Sequence, residues 1–517
     1  MYKNSSRQCM NLFHSLRHGM ERRYAAVSLS YFKPLVAMVL FMTWVGWAEA
    51  QTSEDALRYS TLSYGVSTAR SQAMAGAFGA LGADLSTLST NPAGIAVYKR
   101  SVVSFTPSLY VGEVTSSYQG SQSHDNKYNF NIGSAGFVVV GKRRKNEALR
   151  NFQFGFGVNR TNNFHNRMLA EGFNRESSIR TMWGDYANTE GSLNPFDTEL
   201  AVNTGLLFYD SVSGQYLHDV TYGGLHEGYV AQQKFVVTSG SMNEVVFSTG
   251  LNLYDKLYVG ATLGLPYLRY SSSATFVEDD IHDSIPYFSA LSYKEELTTS
   301  GGGFNFKLGV IYKPVYWLRL GGAIHTPTFF NGMSDEWSSE LAAFYDRNQN
   351  EVENATALAS GSYDYALQTP MRLMGSVAVV IGKVGLISGE YAYVDYAKAK
   401  FRSEDNGFYN VNKTIANSYR VGHNVKVGTE WMVMPLVKVR AGYAYFGSPY
   451  LSEVNSGGKR QMVSFGLGFG DQDFFANLAF SHYFFEREYY MYSSEYTQPV
   501  QNKYISNQAL LTLGFRF

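Results

Sequence analysis

Five cations fall where strand alternation turns side chains toward one shared interior: Lys307, Arg319, Lys438, Arg440 and Arg516, with Glu430 on a neighbouring strand. An ammonium or guanidinium in an interior of this kind can hold a carboxylate headgroup through charge-assisted hydrogen bonds. More commonly such groups pair with acidic residues and fill space, and Arg70 and Asp84 near the start of the chain are natural partners for them. Lys307, Arg319, Lys438 and Arg440 are therefore the candidate ligand-binding residues. Catalytic arrangements are missing. Ser481 and His482 are adjacent on one strand pattern and must point to opposite faces, so they cannot serve as nucleophile and base. The ten histidines show no H-E-x-x-H and no metal-ligand spacing. Asp279, Asp280, His282 and Asp283 make a weak cation-site candidate in a surface loop. The chain reads as a non-enzyme that uses no cofactor and no metal.

A second group of residues could move rather than react. Asn91-Pro92-Ala93-Gly94 closes a run from Ser71 to Ile95 that is crowded with Gly and Ala and short of large side chains. Asn bonds to nearby backbone and Pro fixes one dihedral, so together they set a rigid turn. Small residues suit a segment that must pack on all sides within a lumen. Residues 51 to about 100 are read as a plug or hatch, with Asn91, Pro92, Ala93, Gly94, Arg70 and Asp84 as its gating candidates. The alternative for Asn-Pro-Ala is a plain structural kink.

The elements that would position these residues are strands. Aromatic residues make up 15% of the chain, with 39 Tyr, 35 Phe and 49 Gly against 12 Pro and 17% charged residues. That balance suits a wall facing lipid, with aromatic girdles outside and small or polar residues inside. Net charge is zero, so nothing points to nucleic acid. Phe152, Phe154, Phe156 and Val158 share one face while Gln153, Gly155, Gly157 and Asn159 share the other, a period of two. Fourteen such segments are expected: 101–111, 128–141, 149–161, 242–253, 256–270, 302–313, 315–326, 366–381, 384–395, 418–431, 435–446, 459–469, 473–486 and 506–517. Their connections alternate short and long. Short links such as Tyr254-Asp255, Lys313-Pro314 and Gly382-Lys383 alternate with long ones near 112–127, 162–241, 271–301, 327–360, 396–417, 447–458 and 487–505. That rhythm predicts an all-β fold, a 14-stranded antiparallel transmembrane β-barrel at 101–517, with a short periplasmic rim and a long extracellular one. Lys142-Arg143-Arg144-Lys145 is read as a solvated turn, and Tyr489, Tyr490 and Tyr492 as an interface belt. Arg7, Arg17, Arg22, Arg23 and Lys33 precede the apolar run Leu35–Trp47 and Ala48-Glu49-Ala50, which predicts a secretory signal over 1–50, with Met1 or Met20 as its start. The one cysteine, Cys9, falls in it, so the mature chain has no disulfide.

Ala69 to Asp84 and Asn91-Pro92-Ala93-Gly94, together with the strand count, resemble the FadL-type family of outer-membrane long-chain fatty acid and hydrocarbon transporters, in a Bacteroidetes-like form. The likeness extends to the architecture of the whole mature chain but to only about 30 residues of recognisable sequence. It implies a hatch-closed barrel in the bacterial outer membrane, in contact with lipid. Extracellular loops would capture a hydrophobic small molecule, which would move passively toward a lateral opening in the wall. The 162–241 loop departs from that pattern, being polar and rich in Asn, Tyr and Gly. Some relatives act in protein secretion, so a non-transporting carrier or surface adhesin with a protein partner is the alternative.

Overall fold

The computed structural model describes residues 51–61, 68–144, 147–219, 230–346, 352–403, 407–455 and 457–517. The expected signal segment, with Cys9 and Met20, lies outside the described residues, as does Lys145. The main sheet has 18 strand segments. Four staves are interrupted once each, so 18 − 4 leaves fourteen staves. They are β1 (Val102–Tyr118), β2 (Ser121–Val140), β3 (Leu149–Asn163, resuming as Asn166–Asn174), β4 (Val230–Leu253), β5 (Leu257–Asp279), β6 (Phe288–Val315) and β7 (Leu318–His325, resuming as Phe329–Asp346). The ring continues with β8 (Val352–Gln368, resuming as Arg372–Ile381), β9 (Gly385–Asp395, resuming as Lys400–Arg402), β10 (Val421–Met434), β11 (Val437–Phe446), β12 (Arg460–Gly470), β13 (Phe474–Tyr489) and β14 (Val500–Arg516). Each pairs antiparallel with its chain neighbours, and β14 returns to β1 with Val102 opposite Arg516. Closure leaves no sheet edge whose backbone groups would have to face lipid unpaired. Two of the interruptions coincide with Pro327 and Pro370, which cannot donate to a ladder, and they lie side by side, since His325 pairs with Arg372.

Outward positions carry the lipid-facing residues. On β6 these are Phe304, Phe306, Leu308, Val310 and Tyr312, all exposed, while Asn305 and Lys307 between them are buried. All fourteen expected segments fall on the fourteen staves, but the staves run further than expected at the end away from the short turns. β1 and β2 meet at Gln119-Gly120, both in the left-handed region, where a loop over 112–127 was expected. Most of 271–301 and 327–360 is also strand. Above the apolar belt the outer face needs only water-compatible side chains, as in Thr115-Ser116-Ser117 and Ser271-Ser272-Ser273. Ladder hydrogen bonds persist there although the apolar–polar alternation has gone.

The 162–241 stretch is likewise more ordered than a polar loop. It continues β3, then forms helices Ile179–Thr189 and Thr198–Asn203 and a small hairpin, Phe208–Asp210 with Gln215–Leu217. Ser178 caps the longer helix by accepting from the Arg180 N–H. Trp183, Leu200, Leu206 and Leu207 form one apolar core with Phe276, Phe288 and Leu341 of the staves. Trp183 meets Tyr293 edge to face at 5.4 Å. Tyr492, expected in an interface belt, instead packs edge-on against Phe276 at 5.6 Å and bonds Ser177.

Candidate functional site

Residues 51–61 and 68–100 pack against the inward side chains of the ring. Their helix α1 (Ser53–Ser60) opens with a capping box between Thr52 and Asp55. Two 3-10 turns follow further on, Leu85–Leu88 and Pro92–Val97. The Asn91 carboxamide does three things at once. Its Oδ1 accepts from the Ala93 N–H at 3.1 Å, and its Nδ2 donates to the carbonyls of Gly79 at 2.6 Å and Val310 at 3.3 Å. Pro92 occupies the first turn, where its missing N–H costs nothing. The Gly94 N–H donates to the Asn91 carbonyl, and the Gly94 carbonyl accepts from Ala83. Opposite this turn the wall presents Gly260 and Gly309, paired in register. A Cβ on Gly309 would overlap the Asn91 oxygen, and one on Gly260 would overlap the Pro92 carbonyl. The backbones approach this closely because both side chains are missing.

The expected cations are distributed differently from expectation. Arg70 reaches Glu430 with two nitrogens, Nε to Oε2 at 2.9 Å and Nη2 to Oε1 at 3.1 Å. Arg440 Nε donates to the same Oε2 at 2.6 Å and its Nη1 to Asn477 at 2.9 Å. Lys438 Nζ stands 3.9 Å from Glu430, outside hydrogen-bond reach. Asp84 was expected to meet a wall cation. It is used locally instead, accepting from the Thr68 hydroxyl at 2.6 Å and the Ser86 N–H at 2.9 Å. Lys307 is neutralised within the wall by Glu244, which also accepts from Asn305 at 3.0 Å. Arg319 donates to the Leu81 carbonyl at 3.0 Å. Of the four ligand-binding candidates, three are thus committed to partners and Lys438 faces open space. Sequence reasoning passed over a buried pair, Lys426 with Glu390 at 2.7 Å, whose other oxygen accepts from the Gly79 N–H at 2.9 Å. The signal was present, because both residues sit at inward strand positions paired across β9 and β10. Ser481 and His482 diverge as alternation requires, the first accepting from Gln72 at 2.6 Å and the second bonding Asn507 at 2.8 Å. Asp280 is spent on its own turn, accepting from Ser284 and the Ile285 N–H.

A cavity of about 410 Å³ lies between α1 and the wall. Leu57, Phe164, Met168, Tyr270, Tyr483 and Tyr504 are among its lining residues. Its charged groups are largely paired off: Arg58 with Asp55, stacked at 4.3 Å over Tyr270, and Arg487 with Glu54. Volumes of this size, with aromatic walls and a few polar groups, suit a small apolar ligand.

One side of this cavity abuts a weakness in the ring. β2 and β3 share a ladder only from Ser134–Val140 to Gln153–Asn159. Above it, side chains take over: Asn129 bonds His165 at 3.1 Å and Arg167 pairs with Asp125 at 3.3 Å, while Lys127 Nζ reaches past β3 to the Thr238 carbonyl of β4 at 2.8 Å. Beside this seam Phe130 is 73% exposed.

No family model matches this chain, and no curated protein matches it either. Solved structures do. The P. putida toluene transporter TodX is 13% identical over 87% of this chain and 98% of its own, with a TM-score of 0.52. A Pseudomonas aeruginosa FadL homologue is 14% identical with the same coverage and a TM-score of 0.52. The chain folds as a FadL-type barrel. That is the architecture of a barrel in the bacterial outer membrane, and the first of these neighbours is named as a toluene transporter. At such identities the likeness carries the fold and neither a substrate nor a Bacteroidetes-like origin.

Proposed function

We propose that the protein takes up hydrophobic small molecules across the bacterial outer membrane by passive transport. The observation that carries this reading is the aromatic cavity beside the β2–β3 seam. An apolar molecule would enter from the cell surface and gain about 25 cal/mol for each Å² buried against the tyrosines and Leu57. It would then leave sideways through the seam, where two side-chain contacts, Asn129–His165 and Arg167–Asp125, stand in for a backbone ladder. Residues 51–100 act as the plug in this reading, and rearrangement around Asn91-Pro92-Ala93-Gly94, Arg70 and Asp84 gates the way down. The resemblance to fatty acid and hydrocarbon transporters agrees with a long-chain acid or a hydrocarbon as cargo.

Native mass spectrometry of the detergent-purified protein tests this directly, with toluene, dodecane and oleate as probes. The expected result is one bound equivalent of at least one probe, lost when Leu57→Trp fills the cavity. Retention of no probe by the wild type, with a stoichiometric protein co-purifying instead, would replace uptake with a secretion carrier or adhesin.

A further inference from the structure

A second cavity, of about 170 Å³, lies at the opposite end of the N-terminal segment, by the rim of short turns. Arg70, Tyr98, Lys438, Arg440, Phe475 and Arg516 are among the residues around it. Its charges do not cancel. Four cations, Arg70, Lys438, Arg440 and Arg516, face three carboxylates, Asp84 and Asp471 in the lining and Glu430 just behind it, which leaves one positive charge. The carboxylates are also occupied. Glu430 is shared between Arg70 and Arg440, Asp84 accepts from Thr68 and Ser86, and Asp471 accepts from the backbone N–H groups of Asp473 and Phe474. Lys438 therefore has no hydrogen-bonded carboxylate among the described residues, and the Arg516 guanidinium donates to the Asp471 carbonyl at 2.9 Å while lying 4.5 Å over the Phe475 ring. Phe475, Leu85 and Val102 supply an apolar wall next to these cations.

We propose that this vestibule binds a monocarboxylate with a short apolar tail, its headgroup on Lys438 and Arg516 and its tail against Phe475. One surplus positive charge suits a monoanion, whereas a dianion would be repelled by three nearby carboxylates. A neutral molecule would leave the Lys438 ammonium with no hydrogen-bonded counterion, Glu430 being 3.9 Å away. The site adds a carboxylate-selective exit to the uptake reading, on which only the direction of travel rests; the binding itself does not depend on it.

Isothermal titration of the detergent-purified full barrel with hexanoate, hexan-1-ol and inorganic phosphate decides the matter. Hexanoate should bind at least about tenfold more tightly than hexan-1-ol or phosphate, as charge-assisted pairing requires. Lys438→Gln, which breaks no hydrogen bond in the wall, should weaken hexanoate about tenfold, while Lys438→Arg should stay within about threefold of wild type. Leu57→Trp, which fills the other cavity, should leave hexanoate binding unchanged. Equal affinity for acid and alcohol, tighter binding of phosphate, indifference to Lys438→Gln, or loss in Leu57→Trp would each overturn the proposal. Failure of the uptake reading would show separately, as no toluene, dodecane or oleate retained while hexanoate still binds.

Discussion

Replacing Glu430 with Gln keeps the shape of the wall and removes the charge that Arg70 of the N-terminal segment shares with Arg440. Both guanidiniums are then left facing a neutral amide, with Arg440 3% exposed and Arg70 21% exposed. Breaking a buried ion pair by removing one partner costs about 3–5 kcal/mol, and the partial exposure of Arg70 places the expected loss near the lower end, about 3 kcal/mol. If that cost falls on docking of the segment, the undocked population rises roughly 100-fold, at about 1.4 kcal/mol per decade. Planar-bilayer recording should show the wild type nearly silent and Glu430→Gln conducting in frequent openings, with faster proteolysis within residues 51–100. Lys307→Met provides the comparison. It breaks a buried pair of similar quality that joins β4 to β6 and, among the described residues, makes no hydrogen bond to the segment. That variant should lower the melting temperature without raising conductance. Equal conductance in both variants would show that the openings report general loosening of the barrel and would refute Arg70–Glu430 as a docking contact.

Gly309→Val forces a side chain into the space of the Asn91 oxygen and should cost about 1–3 kcal/mol by overpacking, read as lower thermal stability and, again, raised bilayer conductance. His218 is buried beneath the extracellular helices, and burial together with the charge of Arg180 pushes its imidazole down to about 4. Because the unfolded chain takes up this proton near pH 6.5 and the folded chain does not, stability of the layer falls as pH drops from about 6.5 toward 4, by up to about 2 kcal/mol at pH 5. Amide exchange over Ile179–Thr189 should be faster at pH 5 than at pH 7, and His218→Gln should flatten that difference. Asn129→Ala removes the Asn129–His165 contact across the β2–β3 seam. Uptake of a hydrocarbon into proteoliposomes should then quicken by about twofold or more if that contact holds a portal shut, while melting stays within a few degrees of wild type.

The ring was legible in the sequence wherever lipid imposes a pattern. Phe304, Phe306, Leu308 and Val310 must be apolar while Asn305 and Lys307 need not be, and that contrast is visible as a period of two. Above the belt water wets both faces, so the stretches Thr115–Ser117 and Ser271–Ser273 carry no such contrast and their strands went unseen. Phe475 stands between the apolar residues Phe474 and Ala476 and so breaks the alternation of β13, yet it points inward because Gly514 beside it leaves room for the ring. Asn91-Pro92 was readable as a rigid turn because the bond that makes the turn, from the Ala93 N–H to Asn91 Oδ1, is local, whereas the long-range partner of Arg70 was not. Asp84 is fourteen residues from Arg70 in sequence and Glu430 is 360, and only the fold says which one the guanidinium meets. Tyr492 had the composition of a belt residue, and its burial depends on Phe276, which no local pattern links to it.

The ring is sealed where the chain meets its own end. The Phe517 N–H donates to the Ser101 carbonyl at 3.0 Å, and Arg100 holds the Arg516 carbonyl at 3.0 Å. β1 thus leaves the N-terminal segment at the same place where β14 arrives to complete the circle. On the proposed reading of that segment as a plug, timing matters as much as affinity. Once the last ladder has zipped, the wall offers no gap, and the segment can be placed only through an end of the barrel. Folding residues 51–100 in before the C-terminal strand docks is the more direct route, and it makes the final strand the clasp of the assembly.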